Sequence, residues 1–190
     1  MNSHPAAATP VSFRTSHSTQ RGVSLIESLI CMAVLAVTMG SVLPAFQESR
    51  QMRLLEGAAA QMATDLRHAR SLAVAHRAPV RMSVQQPTGG SCYVVHTGSA
   101  GDCSCTAAGT STCSGQGQAL HTVGFAATGP VRLATQPTSM LFDTDRGTVT
   151  PTGTMRFQLQ GGPAIHQVVN IMGRVRACSP GAAVRGYPAC

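Results

Sequence analysis

The chain has 190 residues and a net charge of +7, from 14 basic against 7 acidic residues, and every basic residue is Arg. That length accommodates one small folded domain beyond a leader and an apolar segment, and the positive balance suits polyanions or anionic surfaces. No G-x-S-x-G, H-E-x-x-H or phosphate-loop pattern occurs, so no catalytic residue, metal site or cofactor is assigned and the chain reads as something other than an enzyme.

Residues 1–20 are small, polar and Pro-containing, without the apolar core of a secretory signal. The apolar run begins only after Arg21 and Gly22. As a helix, residues 23–46 are long enough to cross about 30 Å of hydrocarbon, with the basic flank on the cytoplasmic side. One carboxylate, Glu27, sits near the front edge of this run. At that depth an unpaired acid costs roughly 3 kcal/mol on insertion scales, so it needs a partner. Cleavage after Gly22 would expose the amine of Val23 and make Glu27 the fifth residue of the mature chain. That amine, its own or a neighbouring subunit's, is the natural partner, and Glu27 then serves assembly. An acid snorkelling to the interface from a simple anchor is the plainer alternative.

The pattern R-G-V-S-L-I-E-S, followed by an apolar helix containing Pro44, resembles the prepilin leader and N-terminal helix of type IV pilins and type II secretion pseudopilins. The resemblance implies cleavage after Gly22 by a prepilin peptidase, methylation at Val23, entry into a filament guided by Glu27, and other pilins as partners. It also implies residence in the inner membrane as a single-pass protein before assembly, then in the periplasm or at the cell surface. Val23 stands where the family usually has Phe.

Beyond Pro44, Met52, Leu55, Ala59, Met62, Leu66, Ala69 and Ala73 recur every three or four residues, which predicts an amphipathic helix over residues 47–77 whose apolar stripe packs on a sheet. Pro79 ends it. Residues 78–190 then read as short strands of alternating character separated by Gly, Pro, Asp and Thr turns. The predicted fold class is therefore α+β: a long N-terminal helix on an antiparallel sheet or sandwich.

Six cysteines, Cys92, Cys103, Cys105, Cys113, Cys178 and Cys190, follow residue 90. An even number in an exported domain predicts disulfides and an oxidising compartment. Cys178 is expected to pair with Cys190, and Cys92, Cys103, Cys105 and Cys113 among themselves, the last three within a stapled, non-strand loop over residues 98–118. Their spacing, even with His121 nearby, matches no common zinc pattern. Asp143 and Asp145 read as a turn.

The last motif is Gly173-Arg174-Val175-Arg176. In an extended strand Arg174 and Arg176 share a face at about 6.5–7 Å, close to the phosphate spacing of a nucleic-acid strand, and each guanidinium can fork onto phosphate oxygens. Solvation of an outer strand face is the alternative. G-R-x-R just before a Cys is similar to the GspH/FimT group of minor pilins and pseudopilins, and is characteristic of FimT-like members associated with DNA uptake. The resemblance implies double-stranded DNA as a partner, bound through Arg174 and Arg176 with Gly173 positioning them. A structural or priming subunit, or a secretion pseudopilin without DNA binding, is the other reading. With no Trp and few aromatics, contact through phosphates is expected rather than base stacking.

Intact-mass analysis of membrane-extracted protein should show a mature chain beginning at Val23. Retention of residues 1–22 would contradict the pilin-type reading of this N-terminus.

Overall fold

The computed structural model describes Gly22 and residues 24–190; the leader positions 1–21 and Val23, the expected methylation site, lie outside the described residues. Helix α1 (Leu25–His76) is followed by strands β1 (Val80–Gln85), β2 (Gly90–Thr97), β3 (Cys103–Cys105), β4 (Ser111–Cys113), β5 (Ala119–Ala126) and β6 (Val131–Gln136). Then come β7 (Ser139–Phe142), β8 (Val149–Thr150), β9 (Gly153–Leu159), β10 (Ala164–Val169), β11 (Val175–Cys178) and a short 3-10 turn, Pro180–Ala182. The described residues divide into two units, one on each side of the boundary between Leu43 and Pro44.

In the first unit, Ser24 begins α1. Its hydroxyl accepts the backbone N–H of Glu27 at 3.3 Å, and a Ser followed three residues later by Glu has the spacing of a capping box. Glu27 thus stands in the first helical turn, where a carboxylate meets the positive end of the helix dipole. Leu25, Ile26, Leu29, Ile30, Val34 and Leu35 are all exposed. Among the described residues no helix is long and apolar enough to cross a membrane. The side chains described before positions 41 and 42 run from 25 to 40, about 24 Å of helix against about 30 Å of hydrocarbon.

In the second unit, the α1 residues Leu55, Ala59, Met62, Leu66, Ala69 and Ala73 are at most 1% exposed. Their spacing alternates between four and three residues, so they form one stripe along the helix. The stripe shares one core with Val80, Met82 and Tyr93 of one sheet and Leu133, Met155, Phe157 and Ile165 of the other. The first sheet has the order β5-β2-β1-β7-β8 and the second β11-β10-β9-β6; every pairing in both is antiparallel. Gln167 of β10, itself buried, donates through Nε2 to the carbonyl of Ala59 at 3.0 Å, a contact that the small Ala59 leaves open.

Two elements differ from the sequence-based expectation. The loop over 98–118 contains a two-stranded ribbon, β3 with β4, because Cys103 stands directly opposite Cys113 and is bonded to it. Cys105 is bonded to Cys92 of β2, which fastens the ribbon to the larger sheet, and Cys178 is bonded to Cys190. The run over residues 166–172, which reads as one strand in the sequence, likewise is strand only as far as Val169 of β10, since Gly173 turns the chain with φ at +69°.

A buried polar group ties helix to sheet. Tyr93 donates to Asp65 Oδ2 at 2.6 Å, Gln61 donates to Oδ1 at 2.9 Å, and His121 Nε2 lies 3.4 Å from Oδ2. Burial, then the hydrogen bond and charge of Asp65, push the Tyr93 phenol far above its ordinary range. The chain's other tyrosine, Tyr187, is also raised, by burial and then by the charge of Glu56. An unfolded phenol ionises near about pH 10, so the stabilisation is fully present below that value and is lost as pH rises beyond it. Spectrophotometric alkaline titration should find neither phenol ionising near pH 10 in the folded protein, with Tyr93 ionising only on alkaline unfolding. Normal titration of both would refute the assignment.

Candidate nucleic-acid interface

The four-stranded sheet alternates strictly. Met155, Phe157, Leu159, Ile165, Gln167 and Val169 point into the core, so their neighbours face outward. Register places Arg176, Val168, Thr154 and Gln136 in one outward row, and Cys178, His166, Arg156 and Ala134 in the next. A third row holds Ala164, Gln158 and Arg132. Arg132, Arg156, Arg174 and Arg176 are all exposed. None of these rows contains a carboxylate, and after Asp145 the sequence has no Asp or Glu at all.

Arg174 lies one residue before β11 and Arg176 within it. The turn between β10 and β11 sets their direction. Asn170 accepts the Arg174 N–H through Oδ1 at 2.9 Å, and its own N–H donates to the Arg174 carbonyl at 3.1 Å. Gly173 N–H donates to the Asn170 carbonyl at 2.9 Å. The two arginines thus follow a tight turn closed by three hydrogen bonds, and both are exposed.

Arg70 of α1 holds this turn from behind, a role that sequence reasoning missed. Its Nε donates to the carbonyl of Gly147 at 3.0 Å and its Nη2 to that of Arg146 at 3.5 Å. A Cβ on Gly173 would stand 2.9 Å from Arg70 Cδ and 3.1 Å from the Gly147 carbonyl oxygen, and one on Gly147 would stand 2.8 Å from Arg70 Nε. Both glycines also have positive φ, +69° and +60°, a region that costs other residues about 1–2 kcal/mol. Val149 N–H donates to the Ile171 carbonyl at 2.8 Å and joins the two turns directly. Asp143 closes the first of them, accepting the N–H groups of Asp145 and Arg146 at 3.0 and 3.3 Å. This pair of aspartates is turn chemistry, as the spacing suggested.

His166, on the outward face, is shifted below its ordinary value by burial and then by the charge of Arg156, so it is largely neutral at pH 7 and the arginines carry the charge of the face. A second His, His96, is fully buried; its Nε2 lies 2.9 Å from Ser83 Oγ and its Nδ1 2.9 Å from the Thr97 carbonyl. A hydrogen on Nδ1 donates to that carbonyl, leaving Nε2 to accept from Ser83. The pair has nucleophile–base spacing, but with Ser83 5% and His96 0% exposed it is sealed in the first sheet. All six cysteines after residue 90 are in disulfides, and among the described residues no cluster suited to a metal occurs.

A family model described as Type II transport protein GspH matches residues 58–173. One described as the prokaryotic N-terminal methylation motif matches residues 17–43. No curated protein resembles the chain at a significant level. Among solved structures, the type IV minor pilin FimU of Pseudomonas aeruginosa is similar with a TM-score of 0.51 at 17% identity, over 70% of this chain and 96% of that one. A second crystal form of FimU gives 0.49 at 18% identity, over 68% and 100%. The first likeness establishes a type IV pilin-like fold. The GspH match stops at Gly173, before the two arginines.

Gly173→Ala should destabilise the protein by more than the backbone cost of about 1–2 kcal/mol, because its Cβ also meets Arg70. In an Arg70→Ala background the part of the extra loss due to Arg70 should disappear, while the backbone cost and the 3.1 Å approach to the Gly147 carbonyl oxygen remain. Chemical denaturation of the four members of this mutant cycle measures the coupling, and additive losses would show that Arg70 and Gly173 are not in contact.

Proposed function

We propose that this chain, which belongs to the GspH family, is a minor pilin that binds double-stranded DNA through phosphate contacts and supports DNA uptake in natural transformation. Its N-terminal methylation motif and pilin-like fold make it a component of a pilus or pseudopilus. The DNA reading goes further and is carried by one observation: Arg174 and Arg176 are both exposed on an outward face without carboxylates, fixed by a turn that the fold braces. Arg presents a planar fork of donors to phosphate oxygens, and phosphate contact needs no aromatic platform.

On this reading a prepilin peptidase cuts after Gly22 and Val23 is methylated. Residues 23–46 hold the subunit in the inner membrane before assembly, and the helix joins those of other pilins. The all-round apolar exposure of the described part of that helix suits a segment covered by lipid or by neighbouring helices. Glu27 pairs there with an N-terminal amine, since an unpaired carboxylate among apolar helices is costly. Residues 78–190 then lie in the periplasm or at the cell surface, the compartment in which three disulfides persist.

The test is binding of duplex DNA by the wild type and by an Arg174→Ala, Arg176→Ala variant over a range of salt. Each lost phosphate contact should lower the slope of log affinity against log salt by about 0.9, hence by nearly two for the pair. The loss should be alike for unrelated duplexes, because phosphates carry no base identity. Unchanged circular dichroism, melting temperature, affinity and salt slope in the double variant would instead indicate a structural or priming minor pilin, or a type II secretion pseudopilin that does not bind DNA.

A further inference from the structure

We infer that the DNA backbone crosses the outer face of the four-stranded sheet diagonally, with Arg156 and Arg132 as phosphate contacts beyond Arg174 and Arg176. This rests on the reading of Arg174 and Arg176 as DNA-binding residues and adds the path of the ligand and two further residues.

The strand registers carry the argument. Three successive outward rows each contain one arginine, Arg176 beside Val168, Arg156 beside His166 and Arg132 in the row of Ala164, and Arg174, hydrogen-bonded to Asn170, lies one step before the first. Successive rows are two residues apart, about 6.5–7 Å along the strands. The arginines also step across the sheet in one direction, from β11 to β9 to β6, with neighbouring strands about 4.8 Å apart. The resulting line has intervals of about 7, 12 and 8 Å and spans about 25 Å from end to end. The wide interval is over β10, where Val168 and His166 face outward. Thr154 and Gln158 complete the surface beside the line, so nothing on it repels a phosphate.

A path straight along β11 is closed. The position after Arg176 on the same face is Cys178, bonded to Cys190, whose sulfur lies 3.6 Å from His166 Nδ1. Ser179 also forms a bridge with Ala189 there. Along the outer face, a polyanion that has engaged Arg174 and Arg176 therefore meets this covered edge, and the next outward arginine of the sheet is Arg156, across β10. Arg132 continues the same direction.

The experiment uses the full chain in detergent and a duplex of unrelated sequence, with salt titrations of four proteins: wild type, Arg174→Ala with Arg176→Ala, Arg132→Ala with Arg156→Ala, and a charge-matched control, Arg50→Ala with Arg53→Ala, on exposed α1 positions that belong to none of the outward rows. The Arg132/Arg156 variant should lose nearly two units of salt slope, so that a fourfold rise in salt costs it about tenfold less affinity than it costs the wild type. The control should behave as wild type. Lys at both 132 and 156 should restore most of the slope, which separates lost charge from a disturbed sheet, and melting temperatures report folding independently. If Arg132/Arg156 binds like wild type while Arg174/Arg176 does not, the diagonal is wrong and the DNA reading stands. If the Arg174/Arg176 variant is also unaffected, the DNA reading falls and the diagonal with it. An equal loss in the Arg50/Arg53 control would mean binding by net charge and would likewise overturn the track.

Discussion

Burial of the α1 stripe from Leu55 to Ala73 is the constraint on which the rest of the folded unit depends. The stripe meets both sheets in a single core, and its alanines at 59, 69 and 73 keep the helix surface low enough for the sheets to approach. Fully burying a side chain such as Leu66 or Phe157 is worth about 1.5–3 kcal/mol, more than a hydrogen bond between neutral groups contributes net. Once the inner faces of β9 and β10 are committed to that core, the two-residue period of a strand leaves the remaining positions facing water. The arginines of the outer face occupy those positions without disturbing the core.

The polar contacts between helix and sheets add geometry to this packing. Gln167 to the Ala59 carbonyl, Tyr93 to Asp65, and Arg70 to the Gly147 carbonyl each span a long stretch of chain and fix where the helix sits along the sheets. Arg70 has the most consequence for function. Its stem occupies the space that a Cβ at Gly147 or Gly173 would fill, so the turn preceding Arg174 is held by packing on one side and by Asn170 on the other. A phosphate-binding pair on a braced turn loses less conformational entropy on binding than one on a free loop.

The disulfides complete the same arrangement at the edges. Cys178–Cys190 covers the end of β11 beside His166, and Cys92–Cys105 with Cys103–Cys113 fixes a ribbon that has few apolar residues of its own. Short loops of this kind stabilise by up to about 3 kcal/mol each, chiefly by restricting the unfolded chain.

What the sequence determined alone is whatever depends on local period. The 3.6-residue stripe of α1, the alternation within β9 and β10 and the Cys178–Cys190 pairing near the C-terminus are relations among residues close in the chain, and each was legible. The capping spacing of Ser24 and Glu27 is equally local. Tertiary structure alone decided the partners separated by long stretches: Arg70 with Gly147, 77 residues away, the choice among pairings of Cys92, Cys103, Cys105 and Cys113, and the ordering of Arg176, Arg156 and Arg132 across three strands. Those depend on strand register and on how the helix lies over the sheets. Register is set by the fit of the whole buried surface, so no window of neighbouring residues contains it.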